Sequence, residues 1–265
     1  MVLYLYRHLN LITFVFYQKL SILKYAPLKA FITKYCYWFL VFLFTSTISH
    51  AQSFNYERDY NSILKQTQTK GDSLNYNRLL PRFLNNDKSL TVFQILALMI
   101  GYSGLPEYKP FDDLKTEHTI LHLNDSAKYE VAIHLCDSFL HHHPLNQLAI
   151  IEKAYAYYKL KKNDSAAYYK KQFANIMAAM DWSGDGRSAD KAMFALGLED
   201  GKNFADKYYH ADVGETKTVI DKYGNYCSAV KMNYKKDGKT DSMVFYFVLQ
   251  HAANTTTEKK VNNKP

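Results

Sequence analysis

Apolar residues recur at three- and four-residue spacings from Phe54 to about Met180, and nearer the C-terminus the pattern changes to strand-like alternation. The first part predicts helices over Tyr56–Gln68 and Leu74–Leu84, ended by "KGDS" and "NND". A third helix, "LTVFQILALMIGY", is so apolar that it belongs at the centre of the helical part, with Ser89 or Asp87 as its cap. Gly101, Gly104, Pro106 and Pro110 then predict a loop.

From Phe111 onward the chain matches itself at a shift of 34 residues: Leu114 with Leu148, Lys128 with Lys162, Ala132 with Ala166, Phe139 with Phe173. The pattern resembles the tetratricopeptide repeat, a helix-turn-helix unit of that length. In residues 113–146 the resemblance rests on Tyr129, Ala132, Phe139 and the closing Pro144. In residues 147–180 it rests on "AYAYYKLKKNDSAAYYKKQF", with Ala178 replacing the proline and Asn163 standing opposite Tyr129. Small residues at 132 and 166 allow close helix approach, and Phe139 and Phe173 fill the space beside them. Two such units do not bury a continuous core alone, so residues 52–112 are predicted to cap one end. The resemblance places Leu148, Ile151, Tyr155, Tyr158 and Lys159 on an inner face, where tyrosines offer apolar area and a hydroxyl to a peptide.

Beyond Met180, "DWSGDGRSADKAMFALG" reads as a loop followed by a short helix capped by Ser188 and stopped at Gly197, with another near Asn203 to Tyr209. Strands are predicted over Lys217–Asp221, Tyr226–Tyr234 and Ser242–Gln250, the last two joined through Asp237-Gly238. "MVFYFVL" is apolar on both faces and is expected to be buried on both. The predicted class is α+β, mostly helical, with two tetratricopeptide-like units and a small C-terminal antiparallel sheet. The predicted divisions are a leader at 1–51, capping helices at 52–112, the two units at 113–180, short helices and a β-meander at 181–253, and a disordered tail at 254–265. The whole order, with "LALMIGY", "YKPF", "SGDG" and "AMFALG", also resembles an exported bacterial family classed as domain of unknown function 4919. That resemblance implies an architecture and an envelope setting, and no catalytic residues.

The leader reading rests on "KAFITKYCYWFLVFLFTSTISHAQ", in which Lys29 and Lys34 flank an apolar run followed by Ser49, His50 and Ala51. Cleavage after Ala51 is expected, with a retained membrane anchor as the alternative. The leader's five basic residues and lack of acids leave +3 of the formal +8 charge, too mild a balance to imply nucleic acid. No permanent membrane span is expected after cleavage. Cys136 and Cys227 remain, read as two buried thiols, with a disulfide as the alternative.

Chemical candidates are sparse. His118 and His122 share a helix face with no evident third ligand, and His141 to His143 suit a helix C-terminus. Asp181, Ser183 and Asp185 have the alternate spacing of a calcium loop, but position twelve is Ala192. Ser188 and Lys191 form an isolated S-x-x-K. No cofactor fingerprint occurs. The leading expectation is a non-enzymatic envelope module that binds a protein or peptide; the alternative is a hydrolase around Asp185, Ser188 and His210.

Overall fold

The computed structural model describes residues 54–255 apart from residue 237. The expected leader lies outside the described residues, as does the expected tail at 254–265 except for Asn254 and Thr255, which belong to a helical turn over 250–255 and not to a disordered segment. Helix α1 spans Tyr56–Gln68, α2 Tyr76–Leu84 and α3 Val92–Ser103. Asn55 caps α1 reciprocally: its side chain accepts from the Arg58 amide at 3.0 Å, and Asp59 accepts from the Asn55 amide at 2.8 Å. The cap of α3 is Thr91, in a capping box with Gln94, and not Ser89 or Asp87. Those two bond each other instead, the Ser89 amide and hydroxyl both donating to Asp87. Helix α3 keeps Gly101 inside it, as "LTVFQILALMIGY" predicts, although the sequence also marks Gly101 as a loop residue. The reason is packing: a Cβ at Gly101 would lie 2.9 Å from Cβ of Thr67, so only glycine lets α1 and α3 meet there.

Two antiparallel helix pairs follow, α4 (Pro110–Asp125) with α5 (Tyr129–His142) and α6 (Gln147–Lys159) with α7 (Asn163–Ser183). Their turns repeat at the shift seen in the sequence. Ala127 and Lys161 are left-handed, at φ 57° and 59°. The Lys128 amide donates to Leu123 O and the Lys162 amide to Tyr157 O, both at 2.9 Å. These are Schellman-type closures that satisfy the last carbonyls of each first helix. Ala132 is fully buried. Ala132→Leu is therefore expected to overpack the pair and lower stability by about 1–3 kcal/mol in a urea melt.

The C-terminal part departs from expectation in its details. After a 3-10 turn at Ala189–Lys191, residues Met193–Phe194 form strand β1 and not a helix. A short helix, α8 (Asp200–Asn203), continues as a π-helical turn over Phe204–Tyr208, closed by the Tyr209 amide on Phe204 O at 3.2 Å. Strands β2 (Asp212–Ile220), β3 (Tyr226–Lys236) and β4 (Lys239–Val248) complete a sheet of order β1-β4-β3-β2. The sheet is mixed, because β1 pairs parallel with β4, Met193 opposite Phe247 and Phe194 opposite Val248. The other pairings are antiparallel. On β4 only Phe247 and Val248 are buried, and Met243 and Val244 are exposed. The expected burial on both faces fails there because the first six residues of the strand are all exposed.

The main core joins α3, the second half of α7, β1 and the buried end of the sheet through Leu96, Leu98, Met177, Met180, Phe194 and Phe247. A smaller cluster of Ile120, Cys136, Phe139 and Ala149 joins the first helix pair to the start of α6. Cys136 and Cys227 are both free and buried.

Candidate functional site

The second helix pair opens onto a groove of about 730 Å³. Leu121 and Asp125 of α4 form one side, Ile151, Glu152, Ala154, Tyr155 and Tyr158 of α6 the floor, and Ala166, Ala167 and Lys170 of α7 another side. Asp206, Lys207 and His210, from the π-helical turn and its exit, close it. Ala154 and Ala166 are buried and keep the α6 and α7 backbones close. Tyr155 and Tyr158, three residues apart on one helix face, remain 40% and 63% exposed. The Tyr155 ring is held edge-on to Tyr129 at 6.3 Å, with Lys159 Nζ 5.2 Å from its centroid.

Of the five residues expected on the inner face, Ile151, Tyr155 and Tyr158 line the groove. Lys159 is exposed at its edge against Tyr155. Leu148 is only 2% exposed and unavailable to a partner. Helix α6 packs against α8, so the protein's own chain covers part of the face and the half nearer Tyr158 stays open.

Charge at the floor centres on Glu152, which is buried. Asn124 Nδ2 donates to Glu152 Oε2 at 2.8 Å, and Lys207 Nζ lies 3.6 Å from Oε1 and 3.1 Å from Asp206. Burial acts to lower the Lys207 ammonium, and the hydrogen bond to Asp206 with the Glu152 charge more than reverses it.

A seam of buried acids continues from this floor. Asp113 and Glu117 on α4 and Asp200 on α8 are all buried. Asp200 accepts from the Leu196 and Gly197 amides at 2.9 and 2.7 Å, and its complete burial still raises its pKa. Glu117 accepts from Asn146 Nδ2 at 2.6 Å. Burial, assisted by the charges of Asp200, Asp113 and Glu199, outweighs that bond and pushes Glu117 up to about 7. His143 stands 3.3 Å from Asp113 and 2.9 Å from the Tyr102 hydroxyl. The sequence reading missed this seam and Lys207. Its one signal was Asp113, Glu117 and Asn124, polar positions that share a helix face with spacings of four and seven.

A second cavity, of about 650 Å³, gathers Trp182, Asp185, Ser188, Asp190 and Tyr223 beside the start of α1. Its "SGDG" loop is consumed in anchoring itself. Ser183 Oγ donates to Met180 O at 2.6 Å and accepts from the Phe194 amide at 2.7 Å, tying α7 to β1. Asp185 accepts from the Arg187 amide at 2.9 Å. Gly186 is left-handed at φ +63°, its amide donates to Lys191 O, and its carbonyl accepts from the Tyr246 amide, each at 2.9 Å. A Cβ there would lie 2.6 Å from Phe245, so glycine is required twice over. Ser183 is sunk in the chain and does not converge with Asp181 and Asp185 as a calcium loop would need. Ser188 makes no side-chain cap bond, contrary to expectation. Asp185 and Ser188 line this cavity and His210 lines the groove, all three exposed, so the proposed hydrolytic group is dispersed.

His118, His122, His141 and His142 are exposed, and no group of three His, Cys, Asp or Glu among the described residues is placed to hold a metal ion. No helix among the described residues is long and apolar enough to cross a membrane. No curated protein and no solved structure matches the chain. The family model described as "Domain of unknown function (DUF4919)" matches residues 61–252, most of the chain, and the protein belongs to that family.

Proposed function

We propose that this protein is an exported, non-catalytic module of the cell envelope that binds a protein or peptide segment in the groove between its tetratricopeptide-like helix pairs. The observation that carries this reading is the pair Tyr155 and Tyr158, exposed along a groove that Ile151 and Ala154 also line. Buried aromatic anchors in a preformed groove are the usual source of affinity for such segments. Repetition of the same left-handed turn at Ala127 and Lys161 supports the likeness to helix-turn-helix repeats. The apolar run ending near Ala51 supports export, and sequencing the N-terminus of the protein recovered from its host tests it, with Gln52 expected first.

The binding reading is tested by pull-down from the native envelope with the wild type, Tyr155→Ala and Tyr158→Ala. Each variant is expected to lose at least about 1 kcal/mol of affinity, roughly five-fold, for whatever partner the wild type retains, with an unchanged thermal melt. Undiminished capture by both variants would count against the groove.

A further inference from the structure

We propose that the segment this groove accepts is basic: an apolar or aromatic anchor with lysine or arginine beside it, its cation set between the exposed Tyr158 ring and the carboxylate of Asp125. The inference rests on the peptide-binding reading above and adds a rule of charge to it. Three carboxylates line the groove, Asp125, Glu152 and Asp206, against two ammoniums, Lys170 and Lys207. Lys207 is already divided between Asp206 at 3.1 Å and Glu152 at 3.6 Å. Asp125 is exposed and has no ion-pair partner among the described residues. With Lys159 at the rim over Tyr155, ammoniums and carboxylates balance across the groove, and the attraction for an entering cation is local to Asp125, the lining carboxylate without an ion pair among the described residues.

The protein itself displays the chemistry. Lys207 reaches into the groove as an internal cation on Glu152. Ammonium groups already lie over tyrosine rings, Lys153 over Tyr169 at 4.0 Å and, at the rim of the groove itself, Lys159 over Tyr155 at 5.2 Å, which leaves the Tyr158 ring for an entering cation. Tyrosine faces attract cations through the ring quadrupole, and the attraction grows as the site is dried by an occupant. An acidic segment would instead bring its carboxylate against Asp125 and Glu152 at the cost of like-charge repulsion.

Fluorescence anisotropy of the purified protein tests the rule with three labelled peptides. They share leucine and phenylalanine anchors and carry lysine, glutamine or glutamate at the same remaining positions. The lysine peptide is expected to bind about ten-fold tighter than the glutamine peptide, the glutamate peptide weakest, with the preference shrinking as salt is raised. Asp125→Asn is expected to cut the lysine preference about three-fold without unfolding, since Asp125 is exposed at the C-terminal end of α4, where a negative charge opposes the helix dipole. Equal binding of the lysine and glutamine peptides, lost in Tyr158→Ala, overturns the charge rule and leaves the groove standing. A lysine preference undiminished by Asp125→Asn overturns the rule as well. Absence of binding by every peptide overturns the charge rule together with the reading beneath it.

Discussion

Replacing His251 with alanine is expected to destabilise the protein by about 3–5 kcal/mol, the range for deleting a buried aromatic side chain. The imidazole lies fully buried in the last helical turn, residues 250–255, and stacks on Phe194 at 4.5 Å with Tyr60 at 5.8 Å and Tyr56 and Tyr108 at 5.9 Å. It thereby pins the turn at residues 250–255 to α1 and β1. Nε2 lies 2.8 Å from the Ala195 carbonyl and donates to it, which leaves Nδ1 as the bare nitrogen, buried and without a partner among the described residues. A proton on Nδ1 would be an unpaired buried charge, so burial drives the pKa down to about 3, against the Ala195 bond. The unfolded chain takes up that proton near pH 6.5. The contribution of His251 is therefore full above pH 6.5 and is lost as pH falls toward about 3, by about 3 kcal/mol at pH 4. His251→Phe keeps the stack and removes the titration. Its urea-melt stability is expected to be lower at pH 7, because the Ala195 carbonyl loses its donor, yet to gain about 3 kcal/mol relative to wild type as pH falls from 6.5 to 4. Parallel acid curves for the two proteins would refute this role for His251.

The stack also marks the limit of what the chain discloses by pattern. Helices α1 to α7 were legible because their apolar positions recur at helical spacing and their ends carry strong stop signals, and the offset of 34 residues located both paired turns. Strand β1 was not legible: Met193–Phe194 is two residues long, and an apolar pair that short fits helix and strand equally. Its state is decided by β4, which offers it a parallel edge. The buried acids escaped for the opposite reason. Periodicity treats polar positions as outward, and on α4 the row of Asp113, Glu117 and Asn124 points inward, toward carboxylates and amides supplied from α6 and the residue 197–200 turn. The groove was half legible: Tyr155 and Tyr158 were placed from the repeat, while Lys207 and His210 enter from a π-helical turn far away in sequence.

Glu117→Gln is expected to stabilise the protein at pH 8 by about 2–3 kcal/mol and to change little at pH 4.5. The wild-type carboxyl, only 3% exposed, is pushed up to about 7 by burial and by Asp200, Asp113 and Glu199, and the imidazole facing this seam, His143, stands beside Asp113 at 3.3 Å. In the unfolded chain the same group ionises near 4.5. Its contribution is thus complete below pH 4.5 and is lost as pH rises through about 7, where the fold must carry an unpaired buried charge. A glutamine imitates the protonated acid, since its carbonyl still accepts from Asn146 Nδ2 and no charge develops. Urea melts across pH 4.5 to 8 check this, and an equal change at both ends would show that packing, not ionisation, governs the site. The two buried groups act in opposite directions. His251 weakens the fold on acidification below 6.5 and Glu117 weakens it on alkalinisation above 4.5, so wild-type stability is expected to be nearly level between those values and to fall on either side. Glu117→Gln removes the alkaline fall and His251→Phe the acid one, so each variant should tilt the level stretch in its own direction.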